Sequence, residues 1–177
     1  MRKLVAALYL SLDGVMEHPA WTAPFFNEEL GQLQGELMAA SGALVLGRVT
    51  YEGFAAAWPA MPDAPGADIM NRLPKHVATR SLTELTWNAA RLPGDDVVAA
   101  VAHLKQQAGP DLLLYGSGEL ADALRHAGLI DEYWLMVFPV VVGSGKRFFR
   151  EGAGSLLRLA GSQTTSTGVS VLTYVPA

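Results

Sequence analysis

The chain has 177 residues, of which 50% are hydrophobic and 17% charged, with a net charge of -4 and a pI near 5.5. That length suits a single domain, 1–177, with a core that needs no disulfide or metal, and so apolar a composition excludes intrinsic disorder. The acidic balance argues against a nucleic-acid partner, and a count of 0 cysteines removes thiol nucleophiles, cysteine-bound zinc and iron–sulfur ligation.

Two basic residues, Arg2 and Lys3, precede an apolar run, as in a signal peptide. The run stops at Ser11, with Asp13-Gly14 close behind and no small-residue cleavage site. Lys3–Leu10 is therefore expected to be a first strand, and no stretch approaches the ~20 apolar residues of a membrane span. The lack of cysteine fits a reducing compartment, so a cytoplasmic protein is expected.

Leu30, Leu33, Leu37 and Met38 recur at helical spacing, which predicts a helix over Glu28–Ala40. Ala43–Leu46 reads as a short buried strand broken by Gly47, and Val49–Ala57 as a helix that stops before Pro59. The proline-rich stretch Pro59–Asp68 reads as a surface loop. His76–Thr79 and, more weakly, Thr86–Leu92 read as strands. Asp95 or Asp96 caps a helix that Gly109-Pro110 ends. Asp111–Tyr115 is a strand, Gly118–Ala127 a helix, and Tyr133–Val142, apolar at both parities, a strand buried on both faces. Leu156–Thr164 and Val169–Val175 form a closing hairpin around Ser166-Thr167-Gly168. Helices alternating with strands predict an α/β fold with a mixed sheet.

Three segments carry chemistry. In Leu46-Gly47-Arg48-Val49-Thr50 a strand runs through glycine into a helix, whose first-turn N–H groups favour an anion. An exposed arginine after a glycine turn would look the same. Tyr115-Gly116-Ser117-Gly118-Glu119-Leu120-Ala121 repeats the strand–glycine–helix order and matches G-x-G-x-x-A. A Rossmann fold is rejected, because no acidic residue ends the next strand and no further βαβ unit follows. Close approach of a pyrophosphate remains open. Thr79-Arg80-Ser81 follows a short strand and would suit a terminal phosphate, although a solvated loop explains it more simply.

Other chemistries fail on pattern. Val142–Arg147 lacks both the first glycine and the final hydroxyl of a P-loop. His18, His76, His103 and His126 have no metal-ligand spacing, and Ser117 lacks the G-x-S-x-G elbow. Asp13 ends a strand where a substrate contact is common, and equally where a turn aspartate is. Glu28 opens a helix, a place the dipole alone favours for an acid.

Taken with Ser11-Leu12-Asp13-Gly14 and Pro139–Gly145, these segments resemble the dihydrofolate reductase-like superfamily over about Lys3 to Tyr174. The chain is most similar to stand-alone bacterial proteins akin to the reductase domain of the riboflavin-pathway deaminase–reductase. The resemblance implies a three-layer α/β/α domain around a mixed, mainly parallel sheet. It implies NADPH across the strand ends, with phosphate held by Gly47, Arg48 and Thr50. Gly116, Ser117, Gly118, Glu119 and Leu120 would cradle the pyrophosphate. Thr79, Arg80 and Ser81 would meet the adenosine ribose and its 2′-phosphate. It also implies a homodimer that involves the closing strands.

At the substrate end the chain departs from true dihydrofolate reductases. The position of their pterin-anchoring acid falls on Phe26, with Glu28 two residues later. The reading is an NADPH-dependent reductase of a small heteroaromatic or carbonyl substrate, with Asp13, Trp21, Glu28 and Tyr115 at the pocket and Asp13 or Glu28 relaying a proton. The alternative is a nucleotide-binding sensor or interaction module of the same fold without turnover.

Overall fold

A computed structural model describes residues 1–150, 152 and 154–177. Strand β1 (Leu4–Leu10) lies inside the sheet, parallel to β5 (Asp111–Tyr115) on one side and to β6 (Glu132–Val137) on the other. Beyond β5 follow β2 (Ser41–Gly47), β3 (Lys75–Ala78) and β4 (Ala89–Arg91), all parallel. Beyond β6 the antiparallel pair β8 (Ser170–Pro176) and β7 (Leu157–Thr164) completes the order β4-β3-β2-β5-β1-β6-β8-β7.

Both faces of β1 are covered, which is why its sequence is apolar at both parities. Leu4, Ala6, Leu8 and Leu10 pack with Val101 and Leu104 of α4 (Val97–Gln106) and Leu120 and Leu124 of α5 (Gly118–His126). Val5 and Ala7 face the opposite core. There they join Leu30 and Leu37 of α1 (Glu28–Ala39), Tyr51 of α2 (Arg48–Ala57) and Met70 of α3 (Ala67–Arg72). The result is the expected three-layer α/β/α arrangement around a mixed, mainly parallel sheet.

Side-chain oxygens cap two of the helices. The Asn27 side chain accepts from the Leu30 N–H at 3.0 Å. Asp96 accepts from Val98 and Ala99 at 3.0 and 3.1 Å, so it caps α4 in preference to Asp95.

Three expectations need correction. Pro59–Asp68 is not all loop: a short 3-10 turn spans Trp58–Ala60, and α3 begins at Ala67 after Gly66 turns left-handed at φ 80°. At six residues, behind a proline-rich stretch, α3 is too short to show a period, and its buried Ala67 and Met70 decide it. Strand β6 ends at Val137 instead of running to Val142. Pro139 has no N–H to donate, β1 ends at Leu10, and Val141 is left 68% exposed. The strand expected over Thr86–Leu92 shrinks to β4, because Trp87 and Asn88 take left-handed backbone at φ 58° and 51°.

Candidate active site

Strands β2 and β5 are neighbours, yet the helices that follow them leave on opposite faces of the sheet. Tyr51 of α2 packs in one core, and Leu120 and Leu124 of α5 pack in the other. A crevice therefore opens between the two helix N-termini at the carboxyl ends of the strands, the usual place for a ligand in a doubly wound sheet. Its volume is about 1050 Å³.

Two helix starts are stitched together across this cleft. Gly116 and Ser117 are consecutive left-handed residues, at φ 57° and 56°. That turn aims the Ser117 Oγ at the other helix, where it accepts the Gly47 N–H at 2.8 Å and itself donates to the Tyr115 carbonyl at 3.1 Å. The Ser117 N–H donates to Thr50 Oγ1 at 3.2 Å. The N–H groups of Gly118, Glu119 and Leu120, like those of Arg48, Val49 and Thr50, open their helices without an intrahelical acceptor. Two dipole ends and a left-handed backbone nest thus point at one space, a polar arrangement suited to phosphate oxygens.

Thr79-Arg80-Ser81 continues the same wall from the end of β3. Thr79 Oγ1 accepts the N–H groups of Ser81 and Leu82 at 3.3 and 3.1 Å, which shapes the turn and leaves Arg80 exposed. Arg48 pairs with Glu52 one helical turn on, at 2.9 Å. All eleven residues given a cofactor role by the resemblance line the cleft: Gly47, Arg48, Thr50, Thr79, Arg80, Ser81, Gly116, Ser117, Gly118, Glu119 and Leu120.

Of the four residues expected at the substrate end, only Tyr115 is in that lining. Asp13 is occupied elsewhere: its carboxylate accepts the Ser11 hydroxyl at 2.6 Å and the N–H groups of Val142 and Gly143 at 3.1 and 2.9 Å. These bonds hold its pKa down to about 2, so its carboxylate is ionised and clamps the loop. Glu28 is exposed on the first turn of α1, outside the cleft lining, where the helix dipole accounts for it. Its neighbour Glu29 holds the β7–β8 turn through the Ser166 N–H and hydroxyl. Trp21 packs edge-on against Phe138 at 5.8 Å and donates its indole N–H to the Glu17 carbonyl, also outside the lining.

The structure adds residues that sequence reasoning missed. The segment 11–18 lies beside 142–148: Met16 N–H donates to the Lys146 carbonyl at 2.9 Å, Lys146 N–H to Glu17 at 3.2 Å, and Arg147 Nε to the Asp13 carbonyl at 2.8 Å. This pairing brings Met16, Glu17, His18 and Lys146 to the cleft. Met16 packs so closely on the start of α5 that a Cβ at Gly118 would fall 2.5 Å from its sulfur. Lys146 also pairs with Glu119 at 3.0 Å. Tyr9, at the end of β1, reaches Tyr115 with 3.0 Å between hydroxyls.

A family model for the RibD C-terminal domain matches residues 2–171. The chain belongs to the RibD C-terminal domain family. Membership points to a reductase-type function. Two Bacillus subtilis (strain 168) proteins are similar to this RibD C-terminal domain protein. YwjB is 28% identical over 99% of both chains, and YyaP is 34% identical over 56% of this chain and 53% of its own, about half its length. Both carry the description "uncharacterized protein". Among solved structures, a protein from Shewanella sp. PV-4 assigned to riboflavin biosynthesis superposes with a TM-score of 0.78 at 21% identity, covering 99% of each chain. That likeness establishes the fold. No helix among the described residues is long and apolar enough to cross a membrane.

Proposed function

We propose that this RibD C-terminal domain protein is an NADPH-dependent reductase of a small heteroaromatic or carbonyl acceptor. The observation that carries the proposal is the pair of helix N-termini, α2 and α5, stitched by Ser117 and Thr50 along one cleft with Thr79-Arg80-Ser81. In this reading the N–H groups of Gly118, Glu119 and Leu120, with Gly47, Arg48 and Thr50, hold the pyrophosphate. Glycine at 116 takes the left-handed turn, φ 57°, that leads into the start of α5. Thr79, Arg80 and Ser81 hold the adenosine ribose and its 2′-phosphate, where a guanidinium fork suits a dianion. When bound, the cofactor supplies the hydride. The chain supplies orientation and a dry pocket, with Tyr9, Phe54 and Tyr115 walling the acceptor end.

A thermal-shift titration with NADPH and NADH tests this. At 100 times its Kd, NADPH stabilises the fold by about 2.7 kcal/mol, several degrees in Tm. Arg80→Ala should lower NADPH affinity to that of NADH and leave NADH unchanged. No response of the wild type to NADPH refutes the reading. A response without NADPH oxidation by any of a panel of quinones, pterins and aldehydes supports the nucleotide-binding module without turnover.

A further inference from the structure

The acceptor end of the cleft holds a pair of tyrosines on adjacent parallel strands. Tyr115 closes β5 and Tyr9 stands two residues past its register partner, Ala7, on β1. Their hydroxyls are 3.0 Å apart, and both side chains line the cleft. The pair carries two protons and uses one in the bond between them, so one O–H is left for a third group. The Gln34 amide beside them donates its Nε2 hydrogen to the Met136 sulfur at 3.4 Å.

The surroundings are aromatic. Phe54 meets Tyr115 at 5.9 Å, and Phe26 and Phe138 meet Tyr9 at 5.8 and 5.5 Å, all edge to face. Of these rings Phe54 lines the cleft, and burial of the two tyrosines strengthens a hydrogen bond to developing charge. The carboxylates that line the cleft are occupied or remote: Glu17 and Glu119 are engaged by Lys146, and Asp95 stands exposed ahead of α4.

We infer that the Tyr9–Tyr115 hydroxyl pair faces the acceptor oxygen, and that the acceptor is a neutral, planar carbonyl compound, not a ring that must be protonated before reduction. This deepens the reductase reading and rests on it. The carbonyl carbon takes a hydride from the reduced nicotinamide nucleotide, which is left oxidised. The C=O π pair moves to oxygen, the oxygen takes the spare tyrosine proton to give the alcohol, and water returns a proton to the pair.

The acid strengths agree with that order of events. Burial pushes both hydroxyls up, Tyr9 to about 12, so at neutral pH they are donors and not bases. An alkoxide, about as basic as hydroxide from water of pKa ~15.7, still takes the proton downhill. A ring nitrogen that must be protonated first needs a donor whose pKa lies near the working pH, which this pair is not.

The test separates this inference from the cofactor reading. 4-Nitrophenol is the probe, because its phenolate oxygen mimics the developing oxyanion, and its binding to cofactor-free protein is followed by its absorbance shift. Tyr9→Phe and Tyr115→Phe should each weaken that binding at least 10-fold, while the NADPH thermal shift persists. With NADPH present, each should lower kcat for quinone or aldehyde reduction about 10²–10³-fold, the loss typical of one oxyanion donor. Persistence of the NADPH shift also reports that the variants fold. Unchanged probe binding in both variants, or faster turnover of dihydropterins than of carbonyls by the wild type, overturns the inference. Failure of wild type to bind NADPH overturns the cofactor reading instead, and the probe result still judges the tyrosines.

Discussion

Ser117 offers a measurable test of how the two helix starts are joined. Its Oγ accepts the Gly47 N–H at 2.8 Å and donates to the Tyr115 carbonyl at 3.1 Å, while its backbone sits at φ 56° and ψ 51°. Ser117→Ala removes both side-chain bonds and keeps a Cβ in the left-handed region. Leaving the Gly47 N–H without its acceptor costs about 1–3 kcal/mol. Ser117→Gly removes the same bonds but relieves left-handed strain of about 1–2 kcal/mol. The greater freedom of glycine in the unfolded chain returns about 0.4–1 kcal/mol of that. The glycine variant should therefore be the more stable of the two by about 1 kcal/mol. For a domain of this size 1 kcal/mol moves Tm by about 2–4 °C. Ser117→Ala should melt about 2–12 °C below wild type, and Ser117→Gly roughly 2–4 °C above Ser117→Ala. Thermal denaturation by circular dichroism reads both. If Ser117→Gly melts at or below Ser117→Ala, the hydroxyl and the strain have been assigned the wrong weights.

Two further substitutions probe groups outside the cleft lining. Asp13→Asn cannot accept two backbone N–H groups as the carboxylate does, so the amides of Val142 and Gly143 should exchange with deuterium much faster at pH 7. Because its pKa is depressed to about 2, the wild-type clamp is fully present above the ordinary carboxylate range and is lost only as pH falls through about 2. Equal protection in variant and wild type would show that the clamp does not hold the loop. Lys75 is buried at the start of β3, 3.8 Å from the centre of the Trp87 ring, and donates to the Asn71 carbonyl at 3.1 Å. Burial lowers its pKa to about 8, so between about 8 and its ordinary 10.5 the unfolded chain binds more protons and Lys75 makes stability rise with pH. Lys75→Met should melt above wild type at pH 7 and lose that advantage by pH 10. The difference between the two proteins cancels the opposite drift of the buried tyrosines. A constant difference across that range would mean that Lys75 does not titrate with folding.

How legible the molecule is in its sequence depends on the range of each interaction. The central strands were readable because burial on both faces demands apolar residues at both parities, as in Leu4–Leu10 and Asp111–Tyr115. The glycine-to-helix junctions at Gly47 and Gly116–Gly118 were readable for the same local reason, and the structure brings them to one cleft. Asp13 and Glu28 lie outside the cleft lining, and their local pattern is ambiguous because an acid at a strand end or helix start has a local use that looks like a functional one. Tyr9 was hidden as one apolar residue in a strand of them, and its meaning depends on Tyr115, 106 positions away. Met16, Glu17 and Lys146 carried no local signal, since only the pairing of 11–18 with 142–148 brings them to the cleft. The short helix α3 was invisible because its six residues make less than two turns.

By itself, then, the sequence determined the alternation of strands and helices, the turns that begin α2 and α5, and the kinds of residue available to meet a phosphate. Those properties follow from periodicity, backbone freedom at glycine and side-chain chemistry, which act over a few residues. The tertiary structure alone decided that β2 and β5 lie side by side while their helices part, which opens the cleft. It also decided which acids are tied up as clamps and that two tyrosine hydroxyls meet beside the cleft. Those outcomes depend on contacts between segments as much as 137 residues apart, and no local pattern encodes who the distant partner will be.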